Sequence, residues 1–180
     1  MINFLLSIFC APFLFSAEQG EKPLVVVPSI DLQKYCGTWY EIARLPNKFQ
    51  TICISNVTAT YKLLDDGDIE VTNRCMKASG EMKEVVGKAR LQDENGPNTK
   101  LEVRFAPAFL SFLPFVWGNY WIIDLAADYS YAVIGEPDRE YLWILSRSPQ
   151  MDEKTYQQVL VRITEQGYDI SKLQKTLQEK

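Results

Sequence analysis

The chain has 180 residues, 47% of them apolar, with 19 Lys+Arg against 23 Asp+Glu, four cysteines and no histidine. That length suits one domain with a sizeable core, and a net charge of -4 offers no basic face for a phosphate backbone, so nucleic acid is not an expected partner. The missing imidazole removes Ser-His and Cys-His hydrolases and the commonest ligand of zinc and haem.

Residues 1–17 (MINFLLSIFCAPFLFSA) carry no ionised side chain. The apolar run from Phe4 to Phe15 is shorter than a membrane span of about 20 residues and suits the apolar region of an export signal. Ser16 and Ala17 offer a cleavage point, so 1–17 is read as an export signal. Cys10 offers a second outcome, lipidation, although Ile8 and Phe9 are larger than the residues such a site prefers. An uncleaved anchor is the third. Residues 18–34 form a lead-in segment in which Pro23 and Pro28 oppose regular structure.

Beyond it, period-2 apolar runs alternate with turn signals about every ten residues, as in an antiparallel barrel or sandwich. Strands are expected near 38–45, 56–64, 69–76, 83–91, 99–105, 117–125, 130–135 and 140–146. Asp65-Asp66-Gly67-Asp68 reads as a tight hairpin with Asp66-Gly67 as its two-residue turn; such a turn sets Thr58 opposite Cys75. Strands near 56–64 and 99–105 alternate apolar and polar residues, one face wet. The last three are apolar on both faces and need a cover. Tyr156, Val159, Leu160 and Ile163 supply one at helical spacing, with Asp152 and Glu153 leading in and Gly167 closing a helix over 153–166. The expected fold is all-β: an eight-stranded antiparallel up-and-down barrel over 35–180 with one C-terminal α-helix packed outside it.

Gly37-Thr38-Trp39 opens the first strand, Asp128-Tyr129 precedes the seventh, and Arg147 follows the eighth. On these three motifs in order the chain resembles the lipocalins. Asn56-Val57-Thr58-Ala59-Thr60-Tyr61 and Tyr141-Leu142-Trp143-Ile144-Leu145-Ser146-Arg147 look closer still to the bacterial outer-membrane lipocalins and the apolipoprotein D group. The resemblance implies non-catalytic binding, transport or storage of a fatty acid or lysophospholipid, a role in membrane maintenance, and a place in the periplasm or at the outer membrane. No cofactor is expected.

In an up-and-down meander, alternate strand ends share one end of the barrel. Gly37, Trp39, Tyr129 and Arg147 should then form a structural plug at the closed end, a guanidinium over an indole face. Val57, Tyr61, Leu63, Val71, Val103, Phe105, Tyr120 and Ile122 should line the cavity, with Asn73 and Asp124 adding polar groups by the same parity. At the open end, Phe109, Leu110, Phe112, Leu113, Phe115 and Trp117 make a loop too apolar for ordinary surface; it is expected to grip an acyl chain or touch a bilayer. Cys53 and Cys75 run towards the open end and are expected to be bridged, leaving Cys36 free. Two alternatives stay open: carriage of another hydrophobic ligand such as haem through Tyr or Cys, and a thiol-dependent isomerase of lipocalin type using Cys75. Asn56-Val57-Thr58 also matches a glycosylation acceptor pattern.

Overall fold

The computed structural model describes residues 22–179; the leader and Cys10 lie outside the described residues. Eight strands follow in order: β1 (Gly37–Arg44), β2 (Cys53–Leu63), β3 (Ile69–Lys77), β4 (Met82–Leu91), β5 (Lys100–Arg104), β6 (Gly118–Leu125), β7 (Tyr131–Gly135) and β8 (Leu142–Ser146). Each pairs antiparallel with the next, and β1 pairs with both β8 and β2, which closes the barrel. Closure removes the free edges that an open sheet would leave. A short helix α1 (Leu32–Tyr35) precedes β1, and α2 (Glu153–Glu165) lies outside.

Two apolar cores share the sheet. The inner one gathers Trp39, Tyr61, Ile69, Val71, Ala89, Leu101, Tyr120, Ile122, Ile134 and Leu145. The outer one places Tyr156, Val159 and Ile163 of α2 on Ala43, Ile123, Val133, Leu142 and Ile144. This explains why β6 to β8 are apolar on both faces: each face meets a different core. The helix does not cover the outer face alone. Leu24 and Val26 of the lead-in segment join the same core, and the strap is tied down by Val27 N–H donating to Ile122 O (3.0 Å) and the Thr99 hydroxyl donating to Val27 O (2.9 Å). Asp152 starts α2 by accepting from the Thr155 amide at 3.0 Å, satisfying one of the donors that a helix start leaves open.

Two sequence expectations need correction. Asp124 does not face the lumen. A register shift between Ile122 and Asp124 inserts a β-bulge, which resets the alternation and turns the carboxylate outward to Arg162 of α2 at 2.6 Å. The β2–β3 turn is longer by one residue: Leu64 N–H donates to Asp68 O, enclosing Asp65, Asp66 and Gly67, so Thr58 faces Arg74 instead of Cys75. Lys88 holds this acidic turn through Asp66 (2.8 Å) and Asp68 (2.7 Å). Near the start of β2, Asn56 Oδ1 accepts from the Glu179 amide at 2.7 Å.

That last contact belongs to an element the sequence did not announce. A two-residue strand, β9 (Gln174–Lys175), pairs with β1 through Ala43 and Arg44. The tail beyond it bridges Leu177 to Ser55 of β2. Since β1 and β2 pair directly only from Gly37–Tyr61 to Tyr40–Thr58, the tail fills the seam between them towards the open end. Gln178 clamps both sides, donating to Glu41 O (2.8 Å) and Val57 O (2.9 Å). Buried Glu41 takes hydrogen bonds from Thr176 (2.5 Å), Arg44 (2.6 Å) and Gln50 (2.7 Å).

Candidate ligand-binding site

The closed end is built around Trp39, fully buried, whose indole N–H donates to Tyr35 O at 2.9 Å. The Arg147 guanidinium lies 3.8 Å from the Trp39 ring centroid and donates to the carbonyls of Thr38, Lys34, Tyr35 and Cys36. Gly37 allows this. Its φ is +97°, and a Cβ there would sit 3.3 Å from Arg147 Nη1. Tyr129 accepts from the Asp31 amide at 2.8 Å and packs on the inner core. Burial lowers the affinity of Arg147 for its proton, the cost of placing a guanidinium against an indole.

Above the plug, three phenols meet. Tyr35 and Tyr120 are 2.7 Å apart at their hydroxyls, and the Tyr120 hydroxyl donates to Tyr61 at 2.8 Å. All three are buried, and loss of water around the phenolates holds each ionisation well above the ordinary tyrosine value of 10.0. Around them Leu63, Val71, Val103 and Ile122 belong to the inner core, and Val57 is buried further along β2 towards the open end.

Strand register gives the levels of the barrel interior. Tyr61, Val71 and Gly87 share one level; Ala59, Asn73 and Val85 share the next towards the mouth; Cys75 and Lys83 share the one above. At the second level Val85 points inward by alternation yet is 36% exposed. An inward residue of a closed barrel reaches water only through an opening. Phe105 sits at that opening, 42% exposed, its ring in the notch left by Gly87, where a Cβ would lie 2.6 Å from the ring. It is therefore a rim residue, not part of the deep lining.

The loop from β5 to β6 divides its own residues. Two 3-10 turns, Ala108–Leu110 and Pro114–Val116, impose a three-residue period. Phe109, Phe112 and Phe115 fall on one side, 75%, 76% and 80% exposed, while Leu110, Leu113 and Val116 are half-buried on the other. The three-residue spacing of the phenylalanines was the available signal. Trp117 does not join them. It lies outside the barrel with the guanidinium of Arg90 at 4.0 Å and that of Arg104 at 5.2 Å from its ring, and its N–H donates to Ser111 O at 2.8 Å.

Cys53 and Cys75 are joined, with Cα atoms 5.5 Å apart. Cys53 pairs with Lys77 while Thr58 pairs with Arg74, so β2 carries two extra residues across this stretch, and these fold the loop back to the bridge. Cys36 is free. A bridged Cys75 supplies no thiol nucleophile, which removes the residue on which a thiol-dependent isomerase reading rested. Beyond these, the site contains a contact that no pattern signalled: Trp143, facing inward, donates to Gln50 at 2.8 Å, linking the lumen to the Glu41 cluster and the tail.

A family model described as a lipocalin-like domain matches residues 30–178. The chain is 43% identical over 159 residues to temperature-induced lipocalin-1 of Arabidopsis thaliana, covering 88% of this chain and 84% of that protein. It is 41% identical to the outer membrane lipoprotein Blc of Citrobacter freundii, over 88% of this chain and 85% of that one, and 32% identical to apolipoprotein D of Mus musculus, over 98% and 95%. Among solved structures, apocrustacyanin C1 superposes with a TM-score of 0.66 at 17% identity, covering 83% of this chain and 81% of the other. Insecticyanin from the tobacco hornworm Manduca sexta gives 0.63 at 21% identity, over 86% and 84%. With the closed barrel, the outer helix and the Trp39–Arg147 plug, these likenesses show that the chain belongs to the lipocalin family.

Proposed function

We propose that this lipocalin is a non-catalytic carrier or store of a single-chain lipid, a fatty acid or lysophospholipid, that serves membrane maintenance in the cell envelope. The observation that carries the reading is the mouth. Inward-facing Val85 and Phe105 are open to solvent, and three exposed phenylalanines stand on the loop that follows Phe105. An acyl chain in the lumen is held by removal of apolar surface from water, at about 25 cal/mol per Å². The exposed aromatics serve the same chain at the rim, or the bilayer from which it is collected. Among the described residues no helix is long and apolar enough to cross a membrane, and the Phe109–Phe115 side of the loop is the surface suited to touch one. The bacterial relatives named outer membrane lipoproteins support an envelope location.

The test is displacement of a fluorescent acyl probe by lysophospholipid and by fatty acid, on the native chain and on Phe112→Asp. A phenylalanine buried by ligand contributes about 1.5–3 kcal/mol, so the substitution is expected to weaken binding at least about tenfold with unchanged thermal unfolding. A native protein that binds neither probe nor lipid would end the carrier reading. Unchanged affinity across Phe109, Phe112 and Phe115 substitutions would remove the loop from it.

A further inference from the structure

The barrel interior is not uniformly apolar, and its polar groups satisfy one another only in part. Asn73 follows the inward alternation of Val71 and Cys75, and its Oδ1 is buried without a hydrogen-bond partner. Tyr61 is its diagonal neighbour across the β2–β3 ladder, because Ala59 pairs with Asn73 and Tyr61 with Val71. The phenol relay below can be counted proton by proton. Tyr120 donates to Tyr61 and so spends its one proton; its contact with Tyr35 then requires Tyr35 to donate. The Tyr61 proton finds no acceptor among the described residues. One unpaired acceptor and one uncommitted donor therefore occupy diagonal inward positions on neighbouring strands of the apolar interior.

We infer that Asn73 and the Tyr35–Tyr120–Tyr61 relay form a polar subsite that binds a neutral hydroxyl carried on the buried part of the lipid. This rests on the carrier reading above and names its ligand more closely. A hydroxyl gives a proton to Asn73 and accepts one from Tyr61, matching both needs at once. It also serves the Asn73 amide in either of its two orientations. A carboxylate fits worse. It brings no proton for Asn73, and the cation beneath, Arg147, is committed to the Trp39 face and four carbonyls. A plain alkyl chain leaves both groups dry and unpaired, and a site built in this way rejects the analogue that lacks the hydroxyl. Asn73 lies four residues from Lys77, the end of β3, or about 14 Å along the strand at about 3.4 Å per residue, and level with solvent-open Val85, so a lipid chain entering at the mouth reaches it.

The experiment is competition against a fluorescent acyl probe by decanoic acid and by ω-hydroxydecanoic acid, using the native chain, Asn73→Leu and Tyr61→Phe. The native chain should bind the hydroxylated acid about fivefold tighter, the size of one ordinary net hydrogen bond. Each variant should lose the preference by weakening the hydroxylated acid while keeping or improving the plain one. Thermal unfolding establishes that both variants fold, and Tyr61→Phe changes a single atom if Asn73→Leu does not. Equal affinities in the native chain, with the probe bound, would mean that the two groups hold only water and would overturn the subsite while leaving the carrier reading intact. A preference that survives both substitutions would also overturn it. A native chain that binds no probe at all removes the carrier reading, and the subsite with it.

Discussion

The two ends of this barrel spend their aromatic residues in opposite ways. At the closed end Trp39, Tyr35 and Tyr129 are buried or half-buried, and each is tied to backbone or a neighbouring hydroxyl. At the open end Phe109, Phe112 and Phe115 carry no polar handle and stand in solvent. Tryptophan and tyrosine suit the first place because a buried ring with a polar atom can be oriented by it. Phenylalanine suits the second because nothing fixes it until a ligand or surface arrives. Stability should therefore be concentrated below and binding above, with the phenol relay and Asn73 at the boundary.

The largest effect should come from below. Trp39→Ala empties the plug, strips Arg147 of its aromatic face, and should cost about 3–5 kcal/mol in chemical denaturation. A loss below about 1 kcal/mol would show that the closed end is not where the fold is held.

Second comes a pH dependence set by the relay. The folded ionisations of Tyr35, Tyr61 and Tyr120 are raised above the ordinary value of 10.0 by burial. Their contribution is thus fully present below pH 10 and lost as pH rises towards the folded values, because the unfolded chain gives up protons that the folded chain retains. One unit above the ordinary value each phenol accounts for about 1.4 kcal/mol. Tyr61→Phe should therefore shrink the alkaline fall in stability by about that amount, measured by denaturation at stepped pH. An identical fall in the variant would mean that Tyr61 titrates freely and the relay is open to water.

Third, Asp152→Ala removes the cap of α2 and should lower stability by about 1 kcal/mol. This tests the outer core independently of both ends.

Much of this architecture was legible. Alternation located all eight strands because each has a core on one or both faces, and Val57-Thr58-Ala59-Thr60-Tyr61 can bury only one parity. Helical spacing located α2 for the same reason. The failures fall where one residue changes the count. The bulge after Ile122 turned Asp124 to Arg162, and the extra residue in the 65–67 turn moved the partner of Thr58 from Cys75 to Arg74. Neither leaves a trace in a period-2 pattern. The tail is a different failure. Gln174–Lys175 has no apolar alternation, and its pairing with β1 rests on long-range contacts from Thr176 and Gln178 to Glu41. In the loop, counting by strand parity hid a three-residue rhythm that the 3-10 turns impose. Trp117, at the β6 junction, obeys the strand and turns outward to Arg90 and Arg104.

The smallest effect on stability should come from the residues with the largest effect on function. Replacing Phe109, Phe112 and Phe115 together by serine removes three rings that are already at least three-quarters exposed. Exposed substitutions away from special contacts change stability by about 0.5 kcal/mol or less each, and Leu110, Leu113 and Val116 still hold the loop from its half-buried side. Co-sedimentation with phospholipid vesicles should behave otherwise. A ring that leaves water for the bilayer contributes about 1.5–3 kcal/mol, so the triple variant should lose vesicle binding while its unfolding curve overlays that of the native chain. The two ends would then be separable by experiment. A triple variant that unfolds several degrees lower would mean that the loop packs on the barrel as core. A variant that keeps both vesicle and lipid binding would mean that its rings, although exposed, meet neither.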